Sequence, residues 1–201
     1  MFIKYQHIER FGTTETEGIE NGTCYVFPKI DGTNASIWFK DGVIQCGSRN
    51  RHLTLDKDNA NFLKTMIEDP LLQIFFEHNP NLRLYGEWLV PHSLKTYKEN
   101  AWRNFYIFDV MEGDKLTPYD VYKPLMDDFS LDYIPPIRII KNGNYETFVK
   151  CLEENKYLIP FLFFCSHSPF STIQLHFSNA YRFRTHLNKL IFGNKFNSLV
   201  K

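Results

Sequence analysis

Short runs of β-branched and aromatic residues alternate along the chain with polar turn clusters, and they predict strands at 24–30 (CYVFPKI), 35–40 (ASIWFK) and 43–48 (VIQCGS). Asp41-Gly42, between the second and third, is a two-residue hairpin signal. The period then changes. Residues 59–69 (NANFLKTMIED) place Phe62, Met66 and Ile67 on one helical face. Pro70 suits the first turn of a second helix, PLLQIFFEHN. Strands are predicted again at 82–90 (LRLYGEWLV) and 104–113 (NFYIFDVMEG), the latter closing on a Gly-Asp turn. Pro135-Pro136 makes a rigid lead into a short strand at 136–143, and a helix over 145–155 sets Phe148, Cys151 and Leu152 together. No clean period holds beyond residue 157. Hairpins dominate, so the fold class is α+β with antiparallel sheets and flanking helices.

Composition sharpens this in three places. With 201 residues, 43% hydrophobic and 16% aromatic, the chain can bury a core, which excludes global disorder. The N-terminus MFIKYQHIER has no apolar signal region, and the longest apolar run, YLIPFLFFC, is too short to span a membrane. A soluble protein of the cytoplasm, or of a host's cytoplasm if viral, is the expectation. Cys24, Cys46, Cys151 and Cys165 show no C-x-x-C spacing and are expected as reduced thiols; Cys165, His167, His176 and His186 match no common zinc spacing.

Net charge is zero, yet all 23 acidic residues lie at or before Glu154. Residues 155–201 hold six basic residues, no acidic one, and 8 of the 19 phenylalanines. Two regions follow: a body at 1–156 and a basic, aromatic tail at 157–201. The tail reads as a nucleic-acid arm, with Arg182, Arg184, Phe183 and Tyr181 as stacking and neutralising groups, or as a frameshifted or replaced end.

Four segments of the body carry chemistry. In FPKIDGTN, alternation along a strand puts Lys29 and Asp31 on one face, and Gly32 leaves room for a ligand to approach. Lysine attacks only as the free amine, which neighbouring cations, a bound metal and burial all favour. In CGSRNR, Arg49 and Arg51 flank Asn50, and paired guanidiniums suit phosphates or a ribose. Glu87 in LYGEWLVPH is a carboxylate within an apolar strand and needs a partner there. In FYIFDV, Phe108 can stack on a base beside Asp109. Each segment alone also has an ordinary structural reading: a solvated strand-end lysine, a basic turn, a paired carboxylate, a core phenylalanine.

The order Lys-x-Asp-Gly, Ser-Arg-Asn-Arg, Tyr-Gly-Glu and Phe-Asp resembles the covalent nucleotidyltransferases, which include DNA ligases, RNA ligases and capping guanylyltransferases. KIDGTN, GSRNR, LYGEWLVPH and FYIFDV look most like the phage-type ATP-dependent RNA ligases, over about residues 20–155. The resemblance implies a ligase adenylylation domain that uses ATP and Mg2+ and joins RNA ends bearing a 5′-phosphate and a 3′-hydroxyl. It implies Lys29 as the nucleophile, with Asp31 and Glu87 as further catalytic groups. Asn34, Arg49, Arg51, Glu87, Phe108 and Asp109 would line the nucleotide, and the metal ligands stay unassigned. The family pattern continues with Glu-Gly-x-Val-x-Lys and then Lys-x-Lys. Neither occurs after Glu154, so the domain reads as C-terminally incomplete, with a partner chain as one source of the missing groups. The alternatives are a non-enzymatic nucleotide- or RNA-binding remnant and a capping or DNA-joining relative.

Overall fold

Among the described residues two five-stranded sheets form, each within its own unit of the chain. The computed structural model describes residues 1–91, 97–154, 156–158, 173–177 and 185–186, the last two stretches as backbone. One unit comprises Met1–Gln6 and Asp31–Ile134; the other comprises His7–Ile30 and Pro135–Lys201.

Strands β1 (Glu9–Arg10) and β2 (Thr23–Pro28) come first in sequence. The run inside the first unit then holds β3 (Thr33–Lys40), β4 (Val43–Ser48), α1 (Phe62–Ile67), α2 (Pro70–His78), β5 (Leu82–Leu89), β6 (Asn104–Glu112), β7 (Lys115–Leu116) and α3 (Tyr119–Asp128). The second unit resumes with β8 (Arg138–Lys141), α4 (Tyr145–Glu154), β9 (Ile173–Phe177) and β10 (Thr185–His186).

The first unit's sheet runs β4-β3-β5-β6-β7, antiparallel throughout. Asp41 (φ 54°) and Gly42 (φ 77°) close the β3–β4 hairpin in the left-handed region that its tight turn requires. One sheet face packs on helices. Phe39 stacks on Phe76 at 5.9 Å, and Phe62 meets Trp88 at 5.5 Å and Phe105 at 5.2 Å. Helix α1 is shorter than its sequence pattern predicts and buries Phe62, Leu63 and Met66. Its buried arc centres on Met66, which leaves Ile67 at the edge and 40% exposed, contrary to the expected face. Helix α2 begins at Pro70 as expected, with the Asp69 carboxylate accepting from the Leu71 N–H at 2.8 Å.

The second unit's sheet runs β1-β10-β9-β2-β8, with β2 antiparallel to both β8 and β9 and β1 parallel to β10. Its core gathers Ile19, Cys24, Val26, Phe148 and Cys151, with Phe11 set edge-on to Phe148 at 5.3 Å. β2 ends at Pro28, two residues short of the expected strand. Lys29 therefore follows the strand, and strand alternation does not place it on a face with Asp31. A stretch without a clean period still supplies β9, paired from Cys24↔Phe177 to Pro28↔Ile173. Cys165, His167 and the arginines and lysines between 178 and 201 lie outside the described residues, as do the side chains of His176 and His186. Among the described residues no helix is long and apolar enough to cross a membrane.

Candidate active site

The face of the first unit's sheet away from α1 and α2 is set by register. Asn34 on β3 lies opposite Glu87 on β5, and Glu87 lies opposite Tyr106 on β6. The next row is Ser36, Tyr85 and Asp109; the row after it is Trp38, Arg83 and Met111. Residues directly opposite share a face, so these three rows form one surface.

The first six residues cover two of the rows. Tyr85 donates its hydroxyl proton to the Ile3 carbonyl at 3.0 Å, and Arg83 donates to the Met1 carbonyl at 2.6 Å. The Arg83 guanidinium also lies 4.3 Å from the Trp38 ring centroid, and burial lowers its pKa from the usual guanidinium value. Phe2 approaches Gly47 so closely that a Cβ there would come within 2.6 Å of its ring. Tyr5 donates its hydroxyl proton to Asp109 at 2.6 Å and sets its ring edge against Phe108 at 5.2 Å. A regular strand would send Phe108 and Asp109 to opposite faces. Here the register shifts, with Tyr85 opposite Asp109 and Gly86 opposite Ile107. Phe108 is the extra residue of a bulge, which lets one tyrosine touch both.

The row of Asn34 and Glu87 is half-buried, unlike the covered rows. Two glycines shape its surroundings. A Cβ on Gly32 would lie 2.7 Å from the Trp88 carbonyl oxygen, and one on Gly86 would lie 2.4 Å from that of Tyr106. Gly32 thus gives room to the chain's own β5 backbone, where the sequence suggested room for a ligand. This brings the Asp31–Gly32 backbone alongside Trp88 and Leu89. Tyr97, unremarked in the sequence, completes the group: its hydroxyl oxygen accepts from the Asp31 N–H at 2.7 Å, and its ring meets Trp102 edge-on at 5.4 Å. Burial pushes the Tyr97 phenol up to about 12; the Asp31 N–H opposes the rise, and the negative charges of Asp31 and Glu87 add to it. Only Tyr97's place in the fold reveals it, because HSLKTYKEN carries no periodic or motif signal.

The remaining site candidates divide. Lys29 is half-buried and lies two residues before Asp31, so the chain keeps their Cα atoms within about 7 Å. Asp31 and Arg49 are exposed. Arg51 donates to the carbonyl oxygens of Lys57 and Asp58, which anchors the turn after β4 to the start of α1. Phe108 and Asp109 are 8% and 2% exposed beneath Tyr5. Among the described residues no three His, Cys, Asp or Glu side chains converge as a metal cage. Magnesium commonly uses one or two carboxylates together with substrate phosphates and water, and Asp31 and Glu87 are the two carboxylates whose charge reaches the Tyr97 phenol.

Comparison with known proteins agrees with this architecture. Among solved structures, a variant of Naegleria gruberi RNA ligase with AMP and Mn matches with a TM-score of 0.68 at 16% identity, covering 92% of this chain and 55% of that one. Another variant of the same protein, with ATP and Mn, matches at 0.65 and 18%, covering 92% and 56%. A putative ATP-dependent DNA ligase from Aquifex aeolicus matches at 0.64 and 16%, covering 92% and 50%. The chain spans about half the length of these structures. At such identities the likeness is one of fold, an α+β domain with antiparallel sheets. Among curated proteins no match was found. The family model described as RNA ligase matches residues 22–179, well over half of the sequence. The chain belongs to the RNA ligase family.

Proposed function

We propose that the chain carries the adenylylating part of an ATP-dependent RNA ligase, with Lys29 as its nucleophile. The observation that carries this is the Asn34–Glu87 pair, a half-buried polar row on strands β3 and β5, with Asn34 shortly after Lys29 in the sequence. The Lys29 amine attacks the α-phosphorus of ATP; an N–P bond forms, the bond to pyrophosphate breaks, and the amine loses a proton. The AMP passes to the 5′-phosphate of RNA, restoring the lysine. A 3′-hydroxyl then attacks that phosphate, AMP leaves, and the strand is sealed.

Around this sequence of steps, Asn34 and Glu87 hold the nucleotide and Asp31 flanks it. Arg49 is free of the loop bonds that occupy Arg51 and meets a phosphate; Arg51 acts there through the turn it anchors. Phe108 and Asp109 border the base under Tyr5. Asp31 and Glu87 would hold Mg2+, which supplies charge neutralisation at the phosphates. The chemistry resides in residues 1–156. The tail at 157–201 adds β9 and carries neither the family's later glutamate nor its lysine pair, which a partner chain would supply. That lack also favours a second reading, a nucleotide- or RNA-binding protein without turnover.

Incubation with magnesium and α-labelled ATP separates the two. The first reading expects label on Lys29, lost in Lys29→Ala, and joining of RNA bearing a 5′-phosphate and a 3′-hydroxyl. No label at any pH overturns adenylylation by this chain. Labelling by GTP in place of ATP points to a capping relative.

A further inference from the structure

The first six residues hold their sheet face unevenly. Tyr5 is buried, with its hydroxyl on Asp109 and its ring 5.0 Å from Tyr85 and 5.2 Å from Phe108. Ahead of it Ile3 and Lys4 are exposed, and Met1 is 91% exposed. This end touches the face through one ring and two carbonyls: Phe2 lies 6.1 Å from Trp38, Arg83 donates to Met1, and Tyr85 donates to Ile3. Beneath it is a surplus of donors. The Ser36 hydroxyl, the Trp38 indole N–H and Nη1 of Arg83 are buried and have no hydrogen-bond partner among the described residues. These side chains belong to residues only 2%, 4% and 7% exposed, and Arg83 makes no ion pair among the described residues. Above Gly47 the Ser36 hydroxyl borders a phenyl ring instead of an acceptor: a Cβ there would lie 2.6 Å from Phe2 and 2.9 Å from Ser36 Oγ.

A buried donor without an acceptor is costly, and a buried guanidinium without an anion more so. The face therefore favours an occupant that brings more acceptors than a peptide does, carries negative charge, and lays flat rings on Trp38 and Tyr85. A single strand of nucleic acid brings all three, with phosphate oxygens for the donors and bases for the rings. Met1–Lys4 imitate such a strand, Phe2 taking the place of a base and the Met1 and Ile3 carbonyls that of phosphate oxygens. We infer that the sheet face beneath Met1–Lys4 is a binding surface for single-stranded RNA. The strand displaces these four residues, and Tyr5, the buried end, stays as their pivot. Arg83 and Ser36 then meet phosphate, and Trp38 and Tyr85 stack on bases. The surface lies beyond the Asn34–Glu87 row and stands whether or not Lys29 takes up AMP.

Equilibrium binding to the full chain tests this with a short single-stranded RNA that has a 5′-hydroxyl and a 3′-deoxy end, in chelator and without ATP, so that no joining occurs. An affinity is reduced by the fraction of chains in the competent state, so loosening the cover raises it. Phe2→Ala is expected to bind the RNA roughly tenfold more tightly than the wild-type chain. In the Phe2→Ala background, Arg83→Gln is expected to weaken binding about tenfold and to make the slope of log affinity against log salt shallower by about 0.7, one phosphate contact. Limited trypsin digestion of the wild-type chain needs no variant: RNA is expected to speed cleavage after Lys4 severalfold, because the segment leaves the face. A strand lying over the segment would slow that cleavage. Slower or unchanged cleavage overturns the proposal, as does the absence of RNA binding at low salt. It is overturned too if Phe2→Ala binds no tighter, or if Arg83→Gln leaves affinity and salt slope unchanged. None of these readouts involves Lys29, so label from ATP on Lys29 bears on the proposed function alone.

Discussion

A methyl group on Gly32 would have to displace the Trp88 carbonyl, a backbone atom held in the β3–β5 ladder. Gly32→Ala is therefore expected to destabilise the first unit by about 1–3 kcal/mol, read as a lower urea midpoint. At Asp109 the stake is a hydrogen bond to a buried carboxylate. Tyr5→Phe removes its 2.6 Å donor and is expected to cost about 1.5–3 kcal/mol, again by urea denaturation, with the aromatic contact to Phe108 kept. The sequence made Glu87 conspicuous because it interrupts an apolar strand, and Gly32 because it stands beside Lys29 and Asp31 in KIDGTN. It was silent on Tyr5 and Tyr97, whose partners lie 104 and 66 residues away. Local pattern encodes which way a side chain points along its own strand, and it carries no record of what folds over it.

Between β4 and α1, cap and turn form one device. The Asp58 carboxylate accepts from Leu63 at 2.9 Å and Lys64 at 3.1 Å, capping α1 from outside, while Asn61 at the usual position adopts a left-handed φ of 61°. Arg51 binds the backbone carbonyl of the same Asp58. Arg51→Ala is expected to lower stability by about 1 kcal/mol, and Arg49→Ala to change it by less than about 0.5 kcal/mol. Paired melting curves check the difference. The β3–β4 hairpin was readable from Asp41-Gly42 because its turn demands positive φ at both residues. Helix α3 was not readable: Pro124 stands inside it and removes an N–H. What sustains it is burial of Tyr119, Tyr122 and Met126.

Each unit has its own buried thiol. Cys46 belongs to the first, while Cys24 and Cys151 sit in the core of the second. Burial raises all three thiols above the ordinary range, Cys46 furthest, so little thiolate forms near pH 8 while the fold is closed. Alkylation should then wait on opening. Phe148→Ala, which empties the second unit's core, is expected to cost about 3–5 kcal/mol. It should speed modification of Cys24 and Cys151 ahead of Cys46, followed by peptide mass spectrometry; equal acceleration at all three would mean the units open together. At this scale the motif order exposed the family, since those residues are local in sequence. The pairing of β9 with β2 was hidden, because a strand joined across some 150 residues leaves no local period.

That pairing bears on synthesis. Among the described residues β2 finds its neighbours in β8 and β9, whereas the strands and helices from β3 to α3 find theirs within one continuous stretch. On the ribosome the inserted stretch can close early, while β2 keeps one edge bare until residues 138–141 emerge and the other until residues 173–177 emerge. Lys29, the proposed nucleophile that directly follows β2, is thus among the last of the candidate site residues to be fixed. On the proposed function, a chain released before β9 would hold the Asn34–Glu87 row without a settled Lys29, and so would bind before it could adenylylate.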